Sequence, residues 1–394
     1  MKNFYELLKA QAESYGDKIF LQVDEKVLTC AEFLKAVNEI KIDCDSEIFF
    51  ITAESFYHQA VNFFAAQKFR KIPVILHANL TAEDINFNRA DSDATFGALT
   101  SGTTGKPKIL YRTFESWAGF FDVQNKIFRV DSSSKVFIHG SLSFTGNLNT
   151  LLATLDAGGT IITSEKFARY KWLELIKTAT NIYLVPTKLR FLTEGESLKN
   201  IRGIFTGSQI LTANQSLNLM KKFPTAEIIL YYGASELSFI TYKKICAENV
   251  NDIQNLGKPF EGIGIEIRDG LIYVDTKFHV NGITTPFSVG DYGKLDAEGN
   301  LIFEGRGEDF INRGGVKINA VNVEKKISTI PAVKAVAVVK VKSDIRGEDF
   351  KTYIVAPKNI LPVIRKILSP IEMPSEIIFV EELPLNDSGK VIRD

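Results

Sequence analysis

Apolar residues along this chain fall into two alternating textures. Residues 47–52 form a short run of β-formers. In 55–69 the apolar positions Phe56, Ala60, Phe63 and Phe64 recur at helical spacing, and 72–76 is strand-like again. The alternation returns with strands at 135–139, 160–163 and 182–185 and helices at 147–156 and 171–178. Further strands at 201–205 and 227–231 each end at a glycine-containing turn. Short apolar runs alternating with segments of helical period predict parallel-sheet α/β units.

After about residue 255 the strands become shorter and hairpin-like. Residues 263–268 and 271–275 flank the turn Asp269-Gly270, and 293–296 and 301–304 flank 297–300. A glycine- and charge-rich stretch at 305–315 marks a domain boundary. Beyond it, strands near 333–341 and 351–355, a helix at 361–368 and a polar tail predict a small α+β unit. The expected fold class is α/β. A large N-terminal domain, 1–306, holds parallel-sheet α/β subdomains plus a β-rich subdomain, and a small α+β C-terminal domain spans 307–394.

Composition excludes several classes. Lys+Arg and Asp+Glu both number 47, so no general attraction to nucleic acid is expected. Cys30, Cys44 and Cys246 lie in no metal-ligand or disulfide-framework spacing. No apolar run approaches membrane-spanning length, and the first residues lack a signal-peptide core. A reducing, cytoplasmic setting is the expectation, with oligomeric state left open.

The candidate chemistry starts at Thr100-Ser101-Gly102-Thr103-Thr104-Gly105-Lys106-Pro107-Lys108. A Gly/Ser/Thr loop offers backbone N–H groups and hydroxyls to an anion, glycines allow close approach, and lysines add charge. A Walker A loop needs G-x-x-x-x-G-K-[ST]. Here Pro107 follows Lys106, and Thr100 stands where the first glycine belongs. The dinucleotide pattern G-x-G-x-x-G fails as well.

This loop resembles the signature loop of the adenylate-forming superfamily of acyl-CoA synthetases, peptide-synthetase adenylation domains and beetle luciferases. The resemblance extends over nearly the whole chain. Tyr231-Tyr232-Gly233-Ala234-Ser235-Glu236 is similar to the family's YGxTE motif, and Gly290-Asp291 to its Gly-Asp pair. Arg306-Gly307-Glu308-Asp309-Phe310-Ile311 is similar to GRxxDxI, and 383–393 to the LPxTxxGKxxR close. Ile204-Phe205-Thr206-Gly207-Ser208-Gln209 matches the Gly-Gly-Ala-type turn more loosely.

The resemblance implies roles. Residues Thr100, Ser101, Gly102, Thr103, Thr104, Gly105, Lys106 and Lys108 would hold the β- and γ-phosphates of ATP. Tyr232 would pack on adenine beside Gly207, Ser208 and Gly233, and Asp291 would accept from the ribose hydroxyls, with Arg306 at ribose or phosphate. Glu236 would help bind Mg²⁺, and Lys390 would reach the α-phosphate. Lys390, Glu236 and Thr104 form the catalytic set. Glu308 falls at the hinge of a mobile C-terminal domain, and Arg313, Gly314 and Gly315 fall on a thiol tunnel. His139, Phe144, Thr145, Gly146, Gly207 and Ala234 would line the acyl pocket.

The implied reaction joins a small carboxylic acid to the α-phosphorus of ATP, releases pyrophosphate, and passes the acyl group to a thiol. Three readings stay open: an acyl- or aryl-CoA ligase, a ligase loading a phosphopantetheinyl acyl carrier protein, and an inactive nucleotide-binding regulator. Thr145 stands where adenylation domains for α-amino acids carry aspartate, which argues against an α-amino acid. Roughly seventy residues that relatives carry before the phosphate loop have no counterpart here, so a trimmed N-terminal region is expected.

Overall fold

The computed structural model describes residues 2–86, 91, 93–99 and 106–383. Helix α1 (Phe4–Tyr15) begins at Asn3, whose side chain accepts from the Glu6 N–H. Helix α2 (Cys30–Glu39) begins in a capping box in which Thr29 and Glu32 satisfy each other's backbone N–H groups. Between them lies the hairpin β1 (Ile19–Val23) and β2 (Lys26–Thr29). The hydrophobic pattern assigned no element before residue 47, so this unit is a finding of the structure.

A four-stranded sheet follows: β3 (Ile48–Ile51), β4 (Ile72–Ile75), β5 (Phe96–Leu99) and β6 (Ile109–Arg112). Helix α3 (Phe56–Lys68), N-capped by Ser55, makes the crossover from β3 to β4, which pair in parallel. Strands β5 and β6 pair antiparallel, Leu99 opposite Ile109. Residues 100–108 therefore join two antiparallel strands, whereas a Walker A loop leads from a strand into a helix.

The nine-stranded sheet is the scaffold. It adds β7 (Lys135–Ile138), β8 (Thr160–Thr163), β9 (Asn181–Tyr183), β10 (Gly203–Gly207), β11 (Glu227–Ala234), β12 (Ser238–Ile245) and β13 (Lys258–Pro259) to the β1–β2 hairpin. Its helices are α4 (Glu115–Ala118), α5 (Phe121–Phe128), α6 (Thr145–Asp156), α7 (Arg169–Leu175), α8 (Pro186–Leu189) and α9 (Ala213–Lys222). Strands β1, β8, β7, β9, β10 and β11 run parallel. Val136 and Ile138 pack in one core with Leu148 and Leu152 of α6, while Phe137 packs on Trp172 in a second core. Truncating Phe137 or Trp172, both fully buried, costs about 3–5 kcal/mol by cavity formation. The carboxyl ends of the parallel strands share one edge, the usual ligand position in such sheets.

Four antiparallel strands come next: β14 (Gly264–Arg268), β15 (Leu271–Asp275), β16 (Asp291–Leu295) and β17 (Leu301–Arg306). Both hairpins expected from the sequence form here. The last unit contains β18 (Phe310–Arg313), β19 (Val316–Asn319), α10 (Ala320–Ser328), β20 (Ala335–Ser343), β21 (Gly347–Val355), α11 (Leu361–Ile367) and β22 (Glu376–Phe379). Its core of Ile311, Val323, Phe350 and Ile364 is its own. The chain is thus an α/β protein with a large N-terminal and a small C-terminal domain. Polar contacts join the two: Asn319 Nδ2 donates to the Glu304 carbonyl, and Lys325 Nζ to Gln254 Oε1 at 2.7 Å.

Candidate active site

Three of the expected nucleotide residues converge although they come from distant segments. Asp291 is 1% exposed. Its Oδ2 accepts from the Tyr232 hydroxyl at 2.5 Å, and its Oδ1 accepts from Arg306 Nε at 3.0 Å. Asp291 and Arg306 are direct cross-strand partners in the β16–β17 hairpin, so backbone register sets their ion pair. Tyr232 arrives from β11, where the ladder with β12 shifts register between Tyr232 and Gly233. A Cβ at Gly233 would lie 2.5 Å from the Ser238 carbonyl, so only glycine fits this close approach. Burial pushes the Tyr232 phenol well above its usual range, and the Asp291 charge adds to the shift.

Glu236 follows on the turn between β11 and β12 and is half-buried. Its carbonyl accepts from the Val280 N–H at 2.9 Å. A fully buried arginine absent from the expected set supports that turn. Arg112, the last residue of β6, donates to the carbonyls of Ser235 at 2.6 Å, Phe278 at 2.9 Å and Ser116 at 3.3 Å. Burial pulls its guanidinium down to about 9, opposed by the charge of Glu236. Arg112 thus ties the strand leaving the phosphate loop to the turn carrying Glu236. The sequence signal was a charged residue closing an apolar strand, Ile109-Leu110-Tyr111-Arg112.

Of the phosphate loop, residues 100–105 lie outside the described residues, as does Lys390. Lys106 Nζ donates to the Glu83 carbonyl at 2.9 Å, and the Asn86 N–H donates to the Pro107 carbonyl at 2.8 Å beside Lys108. Gly207 ends β10 opposite Tyr231 of β11, and Ser208 follows it. A Cβ on Gly207 would lie 2.6 Å from the Tyr231 ring, and Ser208 takes a left-handed φ of 66°.

The expected acyl-pocket residues separate into two groups. Phe144, Thr145 and Gly146 open α6, and Phe144 stacks on His77 with ring centroids 4.9 Å apart. His77 Nδ1 is 2.9 Å from Ser143 Oγ, which is 2.8 Å from Ser141 Oγ. A Cβ on Gly146 would run into Tyr183 Oη. That hydroxyl is 2.9 Å from the hydroxyl of Tyr231, so two buried tyrosines stand behind Gly146 and Gly207. Ala234 closes β11 opposite Ser238. His139 does not join this group. Its ring packs on Trp172 at 4.5 Å, on the Phe137 side of β7, and both ring nitrogens lack a partner among the described residues. Burial, then the charge of Lys188, pulls its pKa down to about 3.

Glu308 lies in the 3-10 turn Gly307–Asp309 directly after β17. Gly314 and Gly315 form the tip between β18 and β19, both at positive φ, the geometry of a two-residue hairpin turn. Arg313 differs from the expectation of a tunnel-facing side chain. It is 6% exposed, pairs with Asp349 at 3.1 Å, and donates to the carbonyls of Ile371 and Met373 at 2.8 and 2.6 Å. Its guanidinium holds the small domain together.

A fold of this kind, with an anchored Tyr-Asp-Arg cluster, is that of an adenylate-forming enzyme. The chain belongs to the AMP-binding enzyme family: its model matches residues 97–277, and the model of the family's C-terminal domain matches 322–390. Among curated relatives, the uncharacterized acyl–CoA ligase YhfT of Bacillus subtilis is 30% identical, covering 82% of this chain and 73% of that protein. The D-alanine–D-alanyl carrier protein ligase of Lactococcus lactis is 25% identical over 81% of this chain and 72% of its own. The fold matches ATP-bound MatB from Rhodopseudomonas palustris with a TM-score of 0.82 at 20% identity, covering 99% of this chain and 97% of that one. No helix among the described residues is long and apolar enough to cross a membrane.

Proposed function

We propose that this protein activates a small carboxylic acid with ATP, forming an acyl-adenylate and pyrophosphate, and transfers the acyl group to the thiol of CoA. The convergence of Tyr232 and Arg306 on Asp291 carries this reading. It builds a rigid, desolvated acceptor pair at the carboxyl edge of the large sheet, suited to ribose hydroxyls. Attack of a carboxylate on the α-phosphorus brings two anions together, so the protein's task is alignment and positive charge.

In this reading residues 100–108 grip the leaving pyrophosphate, and Lys390 serves the α-phosphate. Glu236 offers a hard oxygen ligand on a turn braced by Arg112, which fits a Mg²⁺ ion that takes one protein carboxylate plus phosphates. Such an ion supplies charge neutralisation at the phosphates. The small domain then turns about Gly307–Asp309 and exposes the adenylate to the thiol.

Pyrophosphate release over a panel of carboxylic acids tests adenylation; ATP binding without release for any acid would instead favour the regulator reading. The carrier-protein alternative draws support from the D-alanyl carrier ligase relative. Thioester formation with free CoA against a phosphopantetheinylated carrier separates the two acceptors.

A further inference from the structure

We propose that Lys188 binds a second anionic group on the acid substrate, so that the favoured acids carry one carboxylate for activation and another anion for this lysine. The inference rests on the acid-activating reading above and names its substrate class. Lys188 lies on α8, just past β9, at the carboxyl edge of the large sheet. Its Nζ donates to the His139 carbonyl at 3.2 Å, and among the described residues no carboxylate pairs with it.

Its position places it at the acyl site. A Cβ on Gly140 would lie 3.0 Å from Lys188 Nζ and 3.2 Å from Asn147 Nδ2, so amine and amide meet over the same glycine. Asn147 is in the first turn of α6, next to Gly146. On the other side, the Thr187 N–H donates to Gln209 Oε1 at 3.3 Å, which ties α8 to the turn carrying Gly207 and Ser208. Lys188 therefore stands between the two segments expected to border the acyl group.

Half-buried Lys188 differs from the buried cations in its partners. Arg112 meets three carbonyls, and Arg313 meets Asp349 and two carbonyls. Lys222 and Lys243 each donate to two carbonyls. Among the described residues, Lys188 has one carbonyl and no counter-charge. Burial of a cation without one is costly, and it lowers the amine's pKa. In a site built to receive an acid, an anion carried in by the substrate supplies the missing partner. The bare α-carbon of Gly140, at a φ of 118°, lets the Lys188 amine lie close to the backbone.

The test measures pyrophosphate release for matched acids: butanoate against succinate, pentanoate against glutarate, benzoate against phthalate, and 3-sulfopropanoate to separate carboxylate from sulfonate. The wild-type protein is expected to favour the dianion of each pair by at least ~10-fold in kcat/KM, mostly through KM. Lys188→Met should lower that ratio ~100-fold, and Lys188→Arg should keep a dianion preference. If Lys188→Met does not fold, the wild-type ratios decide. Equal or better use of the monocarboxylates by the wild-type protein overturns the role of Lys188 while leaving acid activation standing. Release with none of the acids overturns both.

Discussion

The hydroxyl of Tyr232 lies 2.5 Å from Oδ2 of Asp291, and the two residues are brought together from different sheets. Their contact joins the end of β11 in the nine-stranded sheet to the start of β16 in the four-stranded one. A buried aspartate that is already oriented by a phenol and a guanidinium needs no rearrangement to accept hydrogen bonds from a ligand.

Removing the acceptor should cost more than removing one donor. Asp291→Ala leaves the partly buried Tyr232 hydroxyl without its acceptor and removes the ion pair with the half-exposed Arg306, an expected loss of about 1–3 kcal/mol. Tyr232→Phe removes one hydrogen bond, about 1 kcal/mol. Urea denaturation of both variants and of the double variant measures this, with a coupling of about 0.5–3 kcal/mol expected for residues in contact. Isothermal titration with ATP should show weaker binding for Asp291→Ala.

Arg112 should matter without belonging to the nucleotide motifs. Arg112→Met strips three carbonyls of a buried donor, so a loss of about 2–4 kcal/mol in stability is expected. Because the released turn carries Glu236, the Mg²⁺ concentration needed for half-maximal pyrophosphate release should rise. A variant that keeps wild-type stability and Mg²⁺ dependence would contradict the bracing role.

Lys390→Ala is expected to abolish adenylation while ATP binding survives, since the lysine is assigned to the α-phosphate and not to holding the nucleotide. Pyrophosphate release and ATP titration on the same preparation check this. Adenylation at the wild-type rate would remove Lys390 from the catalytic set.

Acid should weaken the fold through His139. Its folded pKa, about 3, lies below the ordinary histidine value of 6.5, so the unfolded chain binds the extra proton first. The stabilising difference is fully present above pH 6.5 and is lost as pH falls from 6.5 towards 3. His139→Phe keeps a ring on Trp172 and removes the titration. Melting temperatures between pH 4 and 7 should therefore fall less steeply for the variant than for the wild type.

Gly146 should resist enlargement. Gly146→Ala forces a methyl group into the space of Tyr183 Oη, an overpacking cost of about 1–3 kcal/mol. Adding Tyr183→Phe removes the obstructing oxygen and should recover part of that loss, read from thermal melts of the single and double variants.

Periodicity made much of the scaffold legible. Residues 55–69 became α3 because Ser55 caps the helix and the apolar positions face the core, and Leu271–Asp275 became β15 as the Asp269-Gly270 turn before it predicted. The hydrophobic pattern predicts no element before residue 47, since β1 and β2 are short and partly exposed, and β1 owes its place to pairing with β8 and β2 to pairing with β1. The glycines at 314 and 315 signalled a tight turn, and they form one. Arg313 beside them looked like a loop residue because a single sequence carries no sign of Asp349, 36 positions away, which draws it inward.

By itself the sequence determined the α/β alternation, the β-rich middle, the small final domain and the family's motifs, because each depends on local spacing and local turn chemistry. Tertiary structure alone decided which motif residues touch. It set Tyr232 and Arg306 on Asp291, turned His139 onto Trp172, placed Tyr183 behind Gly146, and set Lys188 beside Asn147. Apart from the Asp291–Arg306 pair within one hairpin, those contacts join residues more than 30 positions apart, and register, burial and the crossing of sheets fix them.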